Sequence, residues 1–91
     1  MNTAEKIVTI LRQALVAAYV DVEDESAQHA GHAGAASGGG HYRVMVVSSL
    51  FEGKTLVARH RLVYAALAKE MQGEIHALAL TTLTPTQHRA D

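Results

Sequence analysis

Six histidines and no cysteine among 91 residues set the chemistry open to this chain. Without a thiol there is no disulfide, no thiolate nucleophile, no thiolate metal site and no self-sufficient four-cysteine iron–sulfur cluster. Any metal handled here must meet imidazole nitrogen or carboxylate oxygen. The imidazoles belong to His29, His32, His41, His60, His76 and His88. Other chemical motifs fail on inspection. Gly53-Lys54-Thr55 looks like the end of a phosphate-binding loop, but Ser48 stands where that motif needs its first glycine. Gly31-His32-Ala33-Gly34 matches a short clamp for nucleic-acid backbones, which must join two helices, whereas this one falls between strands. No nucleophile elbow and no serine–histidine–aspartate signature is present, so a hydrolase or kinase reading has no support and no enzymatic turnover is expected.

The bulk composition agrees with a small binding protein. Hydrophobic residues make up 48% and charged residues 19%, which is globular rather than disordered composition. Eight Lys and Arg against nine Asp and Glu give a net charge of −1, which argues against attachment to nucleic acid by bulk charge. A chain of this length is expected to form a single domain over residues 1–91 with a modest core. No segment is long and apolar enough to span a membrane. The start, Met1-Asn2-Thr3-Ala4-Glu5-Lys6, lacks the order of a secretory signal, so a cytoplasmic protein with no membrane partner is expected.

The elements that must position the imidazoles follow from periodicity. Thr3 reads as a helix cap, and Ile7, Leu11, Ala14 or Leu15, and Ala18 predict an amphipathic helix over about residues 4–18. Val20 and Val22 alternate with Asp21 and Glu23, a short strand. Apart from Gln28, Ser26 to Gly40 is Ala, Gly, Ser and His without an apolar face, and reads as a flexible loop over 26–40. His41 to Ser48 predicts a second strand, apolar on both faces and therefore central. Thr55 caps a second helix whose stripe runs Leu56, Val63, Leu67, Met71, stopped by Gly73. Glu74 to Thr81 predicts a third strand, with Ile75, Ala77 and Ala79 on one face and His76, Leu78 and Leu80 on the other. Thr84-Pro85 starts a short terminal helix. The expected class is α+β: a three-stranded sheet covered by two helices on one face.

The stretch Phe51-Glu52-Gly53-Lys54-Thr55-Leu56-Val57-Ala58-Arg59-His60-Arg61-Leu62-Val63-Tyr64 resembles the signature of the BolA family. The pattern is Phe-x-Gly, a five-residue spacer, then Arg-His-Arg, apolar residues and Tyr. Asp24-Glu25-Ser26, His41-Tyr42-Arg43-Val44, Val47-Ser48-Ser49, Ile75-His76-Ala77-Leu78-Ala79-Leu80 and Thr84-Pro85 extend the likeness over nearly the whole chain. The resemblance implies a fold like the class II KH domain. It implies a partner, a monothiol glutaredoxin with a Cys-Gly-Phe-Ser active site, and a [2Fe–2S] cluster shared with it. The glutaredoxin cysteine and a bound glutathione ligate one side, and histidines of the BolA-like chain complete the other. No cluster is then expected in the isolated protein. The implied role is iron sensing or iron–sulfur cluster trafficking. The alternative is a DNA-binding transcriptional regulator, since bacterial members are so described. An adaptor that binds glutaredoxin without any cluster is the blander reading. At most a weak homodimer is expected.

Two departures from the family pattern stand out. The loop between His29 and His41 is long and carries an extra His32, and Gln87-His88 follows Thr84-Pro85 where the family often has Trp.

The resemblance names His76 as cluster ligand, although a strand histidine between leucines is by itself more often packed structure. His29, after Asp24-Glu25-Ser26, is the second ligand the resemblance favours, and His41 is its rival. His60 reads as a helix histidine in the apolar stripe, and His88 as solvated. Lys54, Arg59, Arg61 and Arg43 form the only candidate anion surface, for glutathione and glutaredoxin or for a phosphate backbone.

Overall fold

The computed structural model describes residues 1–29 and 39–90. Helix α1 spans Thr3–Ala14 and buries Ile7 and Leu11, one turn apart. Its cap is Asn2 rather than Thr3: the Asn2 side chain accepts the Glu5 N–H at 2.8 Å. The helix stops before the expected residue 18 because Val16 takes a φ of +49°. Two residues later the Ala18 N–H already donates to the Val47 carbonyl at 2.8 Å, so the chain has entered the sheet.

Strands β1 (Tyr19–Asp24), β2 (Gly40–Val47) and β3 (Ile75–Leu83) form a sheet in that order, with β2 central as its two apolar faces required. β1 runs antiparallel to β2, and β3 runs parallel to it. A parallel neighbour needs a crossover, which helix α2 (Leu56–Ala66) supplies. Tyr42, Val44 and Val46 of β2 share one core with Ile7 and Leu11 from α1 and Leu15 just after it, and with Val63 from α2 and Leu67 just after it. Phe51, fully buried, closes this one-sided core from the turn that precedes α2.

α2 departs from its expected stripe. The residues that face inward are Arg59, Val63 and Leu67, spaced by four, whereas Leu56 is 63% exposed. Hydropathy assigned the first turn to Leu56, but a cation with its own hydrogen-bond partners occupies the inner position. The helix also ends earlier than Met71; a separate single turn, Glu70–Gln72, follows, and Gly73 closes it by donating to the Glu70 carbonyl.

Helix α3 (Pro85–Ala90) forms as Thr84-Pro85 suggested. Thr84 and Gln87 cap one another: the Gln87 N–H donates to Thr84 Oγ1, and the Thr84 N–H donates to Gln87 Oε1. In the absence of Trp, α3 is docked by two other contacts. Arg59 Nη1 donates to Gln87 Oε1 at 2.8 Å, and His88 stacks on Tyr19 with ring centroids 5.3 Å apart. His88 is thus half-buried rather than solvated.

Two predictions follow from this packing. Thr82 is 3% exposed and its hydroxyl has no hydrogen-bond partner among the described residues. Replacing an unsatisfied hydroxyl with a methyl of the same shape removes a desolvation cost, so Thr82→Val should raise stability by about 1 kcal/mol in urea denaturation. Lys6 Nζ donates to both carboxylate oxygens of Glu74, at 2.8 and 3.0 Å. That bond, ahead of smaller charge effects, holds the Glu74 carboxyl below its ordinary range. A depressed carboxyl stabilises the fold above its unfolded value and loses that contribution as pH falls through the folded one. Lys6→Ala should therefore flatten the decline of stability as the medium is acidified below about pH 4.5, seen in urea midpoints across that range.

Candidate functional site: a histidine pair at a register mismatch

β2 and β3 do not keep step at their start. Gly40 pairs with Ile75, and the next residue, His41, pairs with Ala77. One step on β2 therefore spans two on β3, and His76 is the extra residue. The mismatch breaks the alternation expected for β3. Ile75 is buried in the core, and Leu78 and Leu80 pack against it as well, while His76 is exposed. His76 is not on the face of Leu78 and Leu80, as strict alternation predicted. A regular strand cannot put residues 75 and 78 on one face; one inserted residue can.

The inserted residue meets His41. Their ring centroids lie 5.2 Å apart with the planes tilted by 44°. Of the histidines expected to carry chemistry, these two are brought together. His29 ends the single turn Ser26–His29, part of the stretch expected to be loop; its side chain, and all of His32, lie outside the described residues. Half-buried His60 lies on α2.

The His41 backbone is anchored by Asp24-Glu25-Ser26. Ser26 Oγ accepts the His41 N–H at 3.1 Å, and the His41 carbonyl accepts the Glu25 N–H at 2.8 Å. Asp24 Oδ1 in turn accepts the Ser26 N–H at 2.9 Å, fixing the turn, and its hydrogen bonding to Ser26 lowers the Asp24 carboxyl from its usual range. This three-residue motif, seen in the sequence only as a likeness, is thus a support for the strand that carries His41. At β3, the Gly40 N–H donates to the Glu74 carbonyl, which ties the two strand starts together.

The candidate anion surface divides. Arg43 lies two residues beyond His41, and its Nε donates to Glu25 Oε2 at 3.1 Å. Lys54, in the connection before α2, and Arg61, on α2, are exposed. Arg59 is no part of an exposed basic face. It is 7% exposed. Its Nε donates to the Lys54 carbonyl, its Nη1 to the Thr82 carbonyl and Gln87 Oε1, and its guanidinium lies 5.9 Å from the Phe51 ring centroid. Thr82 is six residues beyond His76, roughly 20 Å along a strand, so this network is remote from the imidazole pair.

A sequence profile described as BolA-like protein matches residues 11–87. The chain belongs to the BolA-like family. It is 47% identical to BolA-like protein 1 of Homo sapiens over 81 residues, covering 89% of this chain and 57% of that protein. The chain thus spans little more than half the length of this curated relative. It is 40% identical to the DNA-binding transcriptional regulator BolA of Escherichia coli (strain K12) over 84 residues, 92% of this chain and 77% of that one. Among solved structures, BolA1 from Arabidopsis thaliana superposes with a TM-score of 0.80 at 37% identity, covering 96% of both chains. The BolA domain of SufE1 from Arabidopsis thaliana gives 0.81 at 37% identity, over 94% of this chain and 96% of that one. The BolA-like fold is therefore that of this chain. The family does not fix a compartment, because one relative is named chloroplastic. Among the described residues no helix is long and apolar enough to cross a membrane.

The division of the arginines predicts two different mutants. Arg59→Ala strands the Lys54 and Thr82 carbonyls and removes one of the two contacts that dock α3. It should cost about 3 kcal/mol, while Arg61→Ala should stay within about 0.5 kcal/mol, by urea denaturation.

Proposed function

We propose that this BolA-like chain lends the imidazoles of His76 and His41 to a [2Fe–2S] cluster held jointly with a monothiol Cys-Gly-Phe-Ser glutaredoxin and its glutathione. The observation that carries the reading is the ring pair itself. Two imidazoles stand with ring centroids 5.2 Å apart at a strand bulge, His76 exposed and His41 half-buried with its Nε2 shielded from solvent, in a chain without cysteine. That donor set fits half of a cluster and no more, which demands thiolates from elsewhere. When bound, such a cluster supplies one-electron chemistry and transferable iron and sulfide.

The chain's own part is to present and orient nitrogen. The Asp24-Ser26 turn fixes the strand that carries His41, and the bulge turns His76 out of the core to face it. His41 is preferred over His29 as the second ligand, because its ring already lies against His76. Neutral imidazole in place of anionic thiolate lowers the negative charge of the assembly. It also makes the ligand set sensitive to acid, since free imidazole protonates near pH ~6.5. The role is iron sensing or cluster trafficking, by ligand exchange with the partner rather than by turnover.

The DNA-binding reading draws on the name of the Escherichia coli relative and on Lys54 and Arg61. No acidic residue lies between Gly53 and Lys69. Yet of the four candidate cations Arg59 is buried in the fold and Arg43 is paired with Glu25, which leaves Lys54 and Arg61. Two phosphate contacts give a log–log salt slope of only about −2.

Anaerobic titration into cluster-loaded glutaredoxin tests the proposal. The wild-type chain should change the visible absorption and circular dichroism. His76→Ala and His41→Ala should each abolish most of that change, His29→Ala should retain it, and the mixed species should bleach on acidification. No spectral change on mixing, or indifference to the His76 substitution, defeats the reading. A salt slope for DNA well steeper than −2 would favour the regulator instead.

A further inference from the structure

We propose that Gly39 is a positioning residue for His76: the absence of a side chain there lets the entry to β2 lie directly on the bulge and sets the direction in which the His76 imidazole leaves the sheet. The proposal deepens the cluster reading and rests on it only for the last arm of the test.

A Cβ built on Gly39 falls 2.7 Å from His76 Cβ and 3.1 Å from both Cα and N of His76. The first distance is shorter than two such carbons tolerate, and the other two neighbours are backbone. No flexible side-chain end can swing away. The strain must be relieved by moving the start of β3, and with it the ring, or by moving the entry to β2, and with it the strand that carries His41. The site has no third option, because the two strand starts are tied by the Gly40 N–H to the Glu74 carbonyl at 3.1 Å. Glu74 is held in turn by Lys6 and by the Thr3 hydroxyl, 3.3 Å away, both on α1. The ring pair is therefore framed by a fixed backbone on one side and a glycine on the other. Gly73 supplies the contrast. It borders the same shallow recess as Gly39 and His76, yet a Cβ there meets nothing within 4 Å.

The first readout needs no cluster. Long-range proton–nitrogen spectra of the imidazoles in the isolated chain should show the His76 and His41 ring signals shifted in Gly39→Ala, with the ring-to-ring NOE lost. Gly73→Ala should leave both rings as in the wild type. Unshifted rings with the NOE intact in Gly39→Ala would overturn the proposal. If Gly39→Ala is too unstable to measure, adding His76→Gly removes the Cβ it meets and should restore folding; failure to restore it would likewise overturn the proposal. Titration into cluster-loaded glutaredoxin then separates the two ideas. Loss of the dichroism change in both Gly39→Ala and His76→Ala supports positioning. A change that persists in His76→Ala defeats the cluster reading, while the ring spectra still decide the role of Gly39.

Discussion

The arrangement of this molecule turns on one residue of mismatch between β2 and β3. A parallel pair in perfect step would place residues 75 and 77 on one face and 76 and 78 on the other. The core needs Ile75 and Leu78 together, because both must cover the same apolar side of β2. Only an inserted residue satisfies both, and the inserted residue is His76. Burial of Ile75, on the order of 2 kcal/mol of hydrophobic free energy, thus fixes where the imidazole can go. The site is a by-product of core packing in the energetic sense: the apolar residues on either side enforce the bulge, and the histidine takes the conformation left to it.

The same economy governs α2. Its buried face carries a guanidinium where hydropathy expects a leucine. Arg59 satisfies the Lys54 and Thr82 carbonyls and Gln87, while Tyr64 reaches the Leu78 carbonyl at 3.5 Å. Residues 78 and 82 share a parity on β3, and Leu83, of the opposite parity, accepts from Ser48 at the end of β2. The two carbonyls met by α2 are thus those that β2 does not use. An uncharged nine-residue edge strand is an invitation to unwanted pairing, and β3 is one. Two residues of the Arg-His-Arg…Tyr signature answer it from the helix above. β1, the other edge, needs no such cover, since Asp21, Glu23 and Asp24 guard it with charge.

The elements, their order and the central place of β2 were legible in the sequence because each depends on local periodicity or on a capping residue. Thr55 and Thr84 cap the helices their types suggested. What was not legible depends on partners distant in the chain. The bulge at His76 comes from competition between two strands for one core, which no alternation pattern within β3 encodes. Arg59 reads as a surface cation until Phe51, Thr82 and Gln87 are brought around it. His88 reads as solvated until β1 places Tyr19 beneath it. Gly38-Gly39-Gly40 reads as loop entropy, although glycine immediately before a central strand was a signal of close backbone approach.

The weight of the two functional readings follows from where the charges were spent. A nucleic-acid surface is built from cations left free to find phosphate. Here the fold withdraws Arg59 into its interior and pairs Arg43 with Glu25, while Lys54 and Arg61 lie outside the two strands that carry the imidazoles. A ligand surface for a soft inorganic centre asks for the reverse: few charges, two nitrogen donors at fixed separation, and room for another molecule to supply sulfur. The cluster proposal draws on that second set: an exposed His76 beside His41 at the start of β3, framed by Gly39, in a chain free of cysteine.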